Sequence, residues 1–170
     1  FLAEVAGNIE EAGANEICIH ARTREDGYKP PAYWSIVKQV SEQSNIPVII
    51  NGEIWTVEDA RRAREESGCT DIMLGRSALT RPDLAAAIQA DHQSDEFTWR
   101  TWPEVLETLI HYLERSDTKH PKFVSNRAKQ WLVFLQKAYP EAAELFQNIK
   151  RLKESEDVFN ALSAYLKKLA

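Results

Sequence analysis

Cysteine and long apolar runs are both scarce in this sequence. Its 170 residues include two cysteines, Cys18 and Cys69, each beside or within an apolar segment. No stretch approaches the roughly 18 consecutive apolar residues that a membrane helix needs. Two such cysteines support neither a disulfide framework nor a zinc site, and they fit a reducing compartment. We therefore expect a cytoplasmic protein with no membrane span and no bound metal.

The sequence has no excess of basic over acidic residues, except in one segment. The 21 Lys and Arg residues against 26 Asp and Glu give a formal net charge of −5, which argues against indiscriminate nucleic-acid binding. Residues 119–137 differ, because they contain no acid and five basic residues: Lys119, Lys122, Arg127, Lys129 and Lys137. Such a local field attracts phosphate backbones, although a solvated helix face gives the same pattern.

Two short apolar runs with abrupt polar ends lie between residues 47 and 76. Val48-Ile49-Ile50 ends in Asn51-Gly52-Glu53, and Asp71-Ile72-Met73-Leu74 ends in Gly75-Arg76-Ser77. Unbroken apolar runs are typical of strands that a parallel sheet buries on both faces. Ligands of α/β proteins bind at the carboxyl ends of such strands, where glycine allows close backbone approach and arginine can hold a phosphate. We predict a phosphate-anchored cofactor site here.

A third apolar run, Ile17-Cys18-Ile19, ends in the same way at His20, and segments with helical spacing separate the runs. Thr56 and Asp59 form a candidate capping box at the start of one such helix, and Gly68 is its candidate carboxyl-terminal cap. Strand ends recur roughly every 25 to 30 residues, as in consecutive βα units.

Three strands do not close a barrel, and they would leave an edge and an inner apolar face uncovered. We therefore interpret residues 1–92 as the carboxyl-terminal half of a (β/α)8 TIM-barrel domain, giving an α/β protein with a partial barrel. The first residue, Phe1, is not a methionine, which fits a fragment or a processed chain.

The character of the sequence changes after about Ala90, and the rest of the chain reads as helices. After a polar link at residues 91–96, helical segments are predicted from Trp102, over about 123–138, through Leu145 and through Leu162. We predict that residues 93–170 form an all-α bundle. Trp131 should lie in its core, because Ala128, Leu132 and Leu135 share its side of the helix.

Four groups of residues resemble one known family, the tRNA-dihydrouridine synthases. Residues 20–28 (HARTREDGY), 51–55 (NGEIW) and 75–79 (GRSAL) resemble its successive strand-end motifs. Residues 127–132 (RAKQWL), with 144–147 (ELFQ), are similar to the helical domain of the bacterial C-type subgroup. The resemblance implies FMN- and NADPH-dependent reduction of a uridine in the tRNA D-loop, at position 16 for this subgroup. We expect a monomer.

The resemblance also implies roles for particular residues. The FMN phosphate and ribityl chain would be held by His20, Asn51, Gly52, Glu53, Gly75 and Arg76. Contacts with tRNA would come from Tyr28, Arg127, Lys129 and Lys150. An arginine is usual at the last of these positions, and lysine keeps its charge without the bidentate fork.

The resemblance implies no catalytic residue within this chain. The general acid of the family is a cysteine in an asparagine-glycine-cysteine-proline type motif on an earlier strand, and this sequence has no such motif. Neither Cys18 nor Cys69 matches it, and the family's flavin-contacting lysine and glutamine are also expected upstream. The chain alone is therefore expected to be inactive.

Two other functions stay open. A flavin enzyme of the dihydroorotate or old-yellow-enzyme kind would share the phosphate loops but has no reason to carry a basic helical bundle. A non-catalytic tRNA-binding fragment would use the helices alone. Trp55 could either line the ligand cleft or pack beneath its loop.

Overall fold

The computed structural model describes residues 1–27, 29–115 and 121–169. The chain divides into two compact units, each with its own core. The sheet unit comprises Phe1–Ala78 and Leu84–Phe97, and the helical unit comprises Leu79–Asp83 and Thr98–Ala170.

The sheet unit alternates helices and strands in the predicted order. Its elements, with a 3₁₀ turn at Trp34–Val37 before the second helix, are α1 (Leu2–Glu11), β1 (Ile17–His20), α2 (Lys38–Gln43), β2 (Val48–Asn51), α3 (Val57–Ser67), β3 (Asp71–Met73), α4 (Arg76–Thr80, which continues into the helical unit) and α5 (Leu84–Gln93). The short helix α4 begins directly after Gly75, where no helix was predicted.

The described part of the chain contains a three-stranded parallel sheet in the order β1-β2-β3. His20 pairs with Asn51, and Asn51 pairs with Met73, so the three strands end level with one another. Because parallel strands share one carboxyl edge, the segments that follow these ends start side by side.

The three-stranded sheet is covered on one face only. Ile19, Val48 and Ile50 are buried on the covered face, against side chains from the surrounding helices and the 3₁₀ turn: Ala6, Val37, Val40, Ala60, Ala63, Leu84 and Ile88. On the other face Cys18 is exposed, Met73 is 46% exposed, and their sulfur atoms lie 3.5 Å apart. This agrees with the uncovered inner face expected of three strands.

The capping signals of α3 are confirmed. Thr56 Oγ1 accepts a hydrogen bond from the Asp59 amide, and Asp59 Oδ2 accepts one from the Thr56 amide, both at 3.0 Å. Gly68 ends the helix at φ 72°, and a Cβ there would lie 2.9 Å from Ser41 Oγ.

The helical unit contains the four predicted helices. They are α6 (Trp102–Arg115), α7 (Pro121–Leu135), α8 (Glu141–Ile149) and α9 (Ser155–Leu169). Each helix contributes fully buried side chains to a shared core: Leu106, Leu109, Ala128, Leu132, Leu135, Leu145, Ile149, Val158 and Leu162. Trp131 is only half-buried against this core.

Among the helices of the described residues, none combines the length and the apolar character needed to cross a membrane.

Candidate functional site

The carboxyl ends of the three strands surround a small cleft, which we call the strand-end cleft. It is lined by the six residues that the sequence assigns to a cofactor, His20, Asn51, Gly52, Glu53, Gly75 and Arg76, together with Ile54, Trp55, Met73 and Ser77. The structure thus brings the six together, while their role as FMN ligands stays a prediction.

Hydrogen bonds tie the three strand ends to one another. Asn51 Nδ2 donates to the Met73 carbonyl at 2.7 Å, and Asn51 Oδ1 lies 2.5 Å from His20 Nδ1. Because this oxygen can only accept, Nδ1 must carry a proton. The His20 Nε2 atom can therefore donate to a ligand only from the doubly protonated ring.

The backbone at Gly52 and Glu53 is held in an unusual conformation. Gly52 has φ 123°, and a Cβ there would lie 3.3 Å from Ala32 Cβ and 3.5 Å from the His20 ring. Glu53 follows at φ 51°. Trp34 Nε1 donates to the Gly52 carbonyl at 2.7 Å, so a buried indole fixes this turn from below. No local pattern in the sequence indicates this role of Trp34.

The carboxylate of Glu53 is engaged by the protein itself. Its Oε1 atom lies 2.5 Å from Nη2 of Arg22, whose side chain is only 1% exposed, and 3.6 Å from Arg76 Nη2. Trp55 Nε1 donates to its Oε2 at 2.8 Å. Burial acts to raise the pKa of Glu53, but these hydrogen bonds and the arginine charges outweigh it and lower the pKa. The Glu53 carboxylate is therefore already paired within the protein.

Arg22 was missed because the sequence places it in a charged loop. Its Nε also donates to the Pro31 carbonyl at 3.1 Å, so the guanidinium connects two loops beside the cleft. A buried arginine beside a strand end has no distinctive signal in a single sequence. Trp55 lines the cleft, which settles the alternative left open for it.

Arg76 and Gly75 form the other wall of the strand-end cleft. The Arg76 side chain is 46% exposed, and its Cζ lies 5.8 Å from the Trp55 ring centroid. A Cβ at Gly75 would meet no atom within 4 Å, so the space beside this backbone is open.

The size and chemistry of the cleft fit an anion of about the size of a phosphate. Its volume, about 60 Å³, is small against the roughly 300–1,000 Å³ of sites that enclose a whole ligand. The half-exposed guanidinium of Arg76 and the open backbone at Gly75 are the donor chemistry that a phosphate prefers. No group of three or more His, Cys, Asp or Glu side chains in the described ranges is placed to hold a metal ion.

The predicted RNA-contacting residues of the helical unit lie in two different clefts. Arg127 lines what we call the aromatic cleft, about 480 Å³ in volume, with Leu79, Tyr112, Phe123, Gln130, Trp131 and Phe134. Lys129 and Lys150 line what we call the lysine cleft, about 550 Å³, with Asn126, Arg151, Leu152 and Lys153. Two residues apart on a helix, Arg127 and Lys129 point to different sides of α7.

The lysine cleft contains two cations that sequence reasoning missed. Arg151 and Lys153 join Lys129 and Lys150 there, so four positive side chains line one cavity. Lys129 Nζ donates to the Leu152 carbonyl, which holds this lysine between α7 and the segment after α8. The basic run Lys150-Arg151-Leu152-Lys153 could have indicated this cluster. It lies outside residues 119–137, the acid-free segment on which the RNA-binding prediction is based.

Three residues to which the sequence analysis gives a possible RNA contact have side chains that the structure does not describe. Tyr28 and Lys119 lie outside the described residues, and the Lys122 side chain is likewise not described.

Neither cysteine has the features of a reactive thiolate. Cys18 is exposed on the open face of the sheet, yet its sulfur is partly desolvated. This desolvation raises the pKa of Cys18, and the negative charge of Glu16 raises it further. Cys69 is buried, and that burial raises its pKa. Activated cysteines instead have a lowered pKa beside positive charge, so neither residue has an assigned catalytic role.

Comparison with known proteins matches the whole chain, residues 1–170, to the family model described as dihydrouridine synthase (Dus). Curated relatives include tRNA-dihydrouridine(16) synthases from three organisms. The Aquipseudomonas alcaligenes protein is 41% identical over 161 residues, covering 94% of this chain and 51% of that protein. The Pseudomonas syringae pv. tomato protein is 44% identical over 149 residues, covering 87% and 47%.

The third relative, from Escherichia coli O157:H7, is 38% identical over 164 residues, covering 95% of this chain and 50% of its own. The chain therefore spans about half the length of the curated relatives it matches.

Proposed function

Because the chain belongs to the dihydrouridine synthase family, we propose that the whole protein reduces a uridine of tRNA, at position 16 of the D-loop, to dihydrouridine with FMN and NADPH. The confirmed family membership and the similarity to tRNA-dihydrouridine(16) synthases support this activity. Reduced FMN would supply the hydride. The single structural observation that carries the proposal is the gathering of six strand-end residues in one phosphate-sized cleft.

Within this proposal, residues 1–92 are the carboxyl-terminal half of an FMN-binding TIM barrel and residues 93–170 a tRNA-recognition domain. Two observations support the division: the chain separates into a sheet unit and a helical unit, and one face of the sheet is uncovered as in part of a barrel. The observed division differs in detail, because Leu79–Asp83 belongs to the helical unit and Leu84–Phe97 to the sheet unit.

The residues of the strand-end cleft would bind and orient the FMN phosphate. Arg76 would donate to the phosphate oxygens, and Gly75 would let the backbone approach them. Arg22 and Trp55 hold Glu53, and Trp34 holds the Gly52 carbonyl, so the turn between them is already shaped when the ligand arrives. Preorganised donors lose less entropy on binding.

The helical unit would contact the tRNA through its positive clefts. Lys129, Lys150, Arg151 and Lys153 would bind phosphates in the lysine cleft. Arg127 would act separately, from the aromatic cleft on another side of α7.

The cofactor half of the proposal is tested by comparing FMN with riboflavin, which lacks the phosphate. We expect Arg76→Gln to weaken FMN binding and leave riboflavin binding unchanged, measured by quenching of flavin fluorescence. Arg61→Gln is the matched control, because Arg61 pairs with Asp91 and lines none of the three clefts. In the whole protein, Arg76→Ala should lower FMN retention far more than tRNA affinity. Equal loss of both would remove the phosphate role of Arg76.

The tRNA half is tested with lysine substitutions and a salt titration. We expect Lys129→Ala and Arg127→Ala each to weaken tRNA binding and leave flavin binding unchanged. Each lost phosphate contact should lower the slope of log affinity against log salt by about 0.7 to 0.9. Lys167→Gln, on the exposed end of α9, is the control that should change neither quantity. A Lys129 variant with full tRNA affinity would contradict the assignment.

The alternatives are separable by the same measurements. Family membership argues against a dihydroorotate or old-yellow-enzyme type of flavin protein. A non-catalytic RNA-binding chain remains the second candidate, since the lysine cleft lies entirely within the helical unit. Salt-dependent tRNA binding without any preference for FMN over riboflavin would favour that candidate.

A further inference from the structure

We infer that the aromatic cleft of the helical unit binds one unstacked nucleobase of the RNA, separately from the phosphates that bind in the lysine cleft. The inference rests on the proposed function, because it assumes that the helical unit binds RNA. It assigns a second kind of contact to that unit, with aromatic faces instead of cations as its main feature.

The aromatic cleft has rings that an RNA base could stack on. Phe123 is 57% exposed and Tyr112 is 38% exposed, so both rings can be reached from solvent. The Tyr112 and Trp131 rings meet edge to face, with centroids 5.9 Å apart and an interplanar angle of 87°. Trp131 Nε1 donates to the Leu79 carbonyl at 3.0 Å, so the indole is fixed as a wall of the cleft.

The polar groups of the aromatic cleft suit a nucleotide better than an apolar peptide. Arg127 lies with its Cζ 5.0 Å from the Phe123 ring centroid, so a positive charge borders the ring on which a base would stack. Gln130 is exposed, and its amide can both donate to and accept from a base edge. No carboxylate is present among the described residues that line this cleft, in a chain whose net charge is −5. The charged residue that lines this cleft is therefore an arginine, which suits an anionic partner such as RNA.

The two clefts of the helical unit share helix α7. Arg127 and Gln130 line the aromatic cleft, while Asn126 and Lys129 line the lysine cleft. A single-stranded segment that passes over this helix could thus place its phosphates against the lysines and one base against the rings. Such a combination of cations and aromatic faces is the usual way in which proteins bind unpaired nucleic acid.

The test measures binding of the 170-residue chain to a single-stranded RNA containing 2-aminopurine and to the duplex of the same sequence. We expect Phe123→Leu, which keeps an apolar side chain but removes the ring, to weaken single-strand binding about five- to tenfold, the lower range for one base–aromatic stack. It should also reduce quenching of 2-aminopurine, while the salt slope and duplex affinity stay unchanged. Phe123 is largely exposed, so the fold should tolerate the change.

Two control variants separate this inference from the proposed function. Val133→Ala removes another exposed apolar side chain of α7 that does not line the cleft, and it should have no effect. Lys129→Gln should lower the salt slope without changing the quenching. If Phe123→Leu binds single-stranded RNA as the parent does, or weakens the duplex equally, the inference is overturned while the tRNA proposal stands. If the parent chain binds neither RNA, both fail.

Discussion

The turn that shapes the strand-end cleft can be tested by giving Gly52 a side chain. Gly52 has φ 123°, and the Cβ of Gly52→Ala would lie 3.3 Å from Ala32 Cβ and 3.5 Å from the His20 ring. A non-glycine residue held in such a region costs about 1–3 kcal/mol. Because Trp34 holds the Gly52 carbonyl and β2 ends directly before it, the backbone has little room to relax. We expect a loss of about 2 kcal/mol.

Gly7→Ala provides a matched control in the same unit. Gly7 lies within helix α1, and an added Cβ would meet no atom within 4 Å. Alanine in a helix interior is more favourable than glycine by roughly 0.5–1 kcal/mol. The same chemical change should therefore stabilise the chain at residue 7 and destabilise it at residue 52, with about 3 kcal/mol between the two variants.

The buried thiol of Cys69 gives a readout that reports on the sheet unit alone. Both cysteines of the chain lie in this unit, Cys18 exposed and Cys69 buried. In a Cys18→Ser background, the reaction of Cys69 with a thiol reagent measures unfolding of the unit as urea is raised. With an m value of about 2 kcal/mol per molar urea, the midpoints of the two variants should differ by about 1.5 M. If Gly52→Ala matched the parent within about 0.5 kcal/mol, the argument for a constrained turn would fail.

Two further predictions use the same urea assay. Thr56→Ala removes the side-chain half of the capping box at α3 and should lower stability by about 1 kcal/mol, whereas Thr56→Ser should retain most of it. Glu53→Gln tests the lowered pKa of Glu53: a carboxyl whose pKa is lowered on folding stabilises the protein above its ordinary pKa of 4.5, and that contribution is lost as pH falls through the lowered value. The difference between parent and Glu53→Gln should therefore be present at pH 6 and shrink towards pH 3; a constant difference would show that the charge is irrelevant.

Local chemistry made the strands and the caps of α3 predictable. The apolar runs before His20, Asn51 and Gly75 form β1, β2 and β3, because short runs rich in isoleucine and valine and bounded by polar or glycine residues are typical of buried strands. Thr56 and Asp59 accept hydrogen bonds from each other's backbone amides within one helical turn, and Gly68 adopts φ 72°, which favours glycine. Each cap therefore depends only on residues that are close together in the sequence.

Features that depend on distant parts of the chain were not predictable. An uncovered sheet face was expected from the number of strands, but the residues that cover the other face were not predicted, because strand hydrophobicity does not show which elements pack on it. Arg22 is buried by loops around residues 31 and 53, and its charged neighbours in sequence point to solvent instead. Helix α4 begins at Arg76 without a local start signal that the sequence reasoning recognised.

The separation of Arg127 from Lys129 shows what the helical pattern could and could not decide. Two residues on a helix differ by about 200° in direction, so the sequence already implied different sides of α7. It could not show that Arg127 would meet Phe123, 5.0 Å away, or that Lys129 would meet Arg151 and Lys153 across a cavity.

The two arginines beside Glu53 are held to different extents. Two guanidinium groups, Arg22 and Arg76, lie near one carboxylate, Glu53, which is closer to Arg22 at 2.5 Å than to Arg76 at 3.6 Å. The buried arginine is thus compensated first, because an unpaired charge costs most where water is excluded. Arg76 lies farther from Glu53, and its half-exposed side chain lines the cleft beside Gly75. In the proposed function, a phosphate would therefore meet Arg76 without displacing the Arg22–Glu53 pair that shapes the turn.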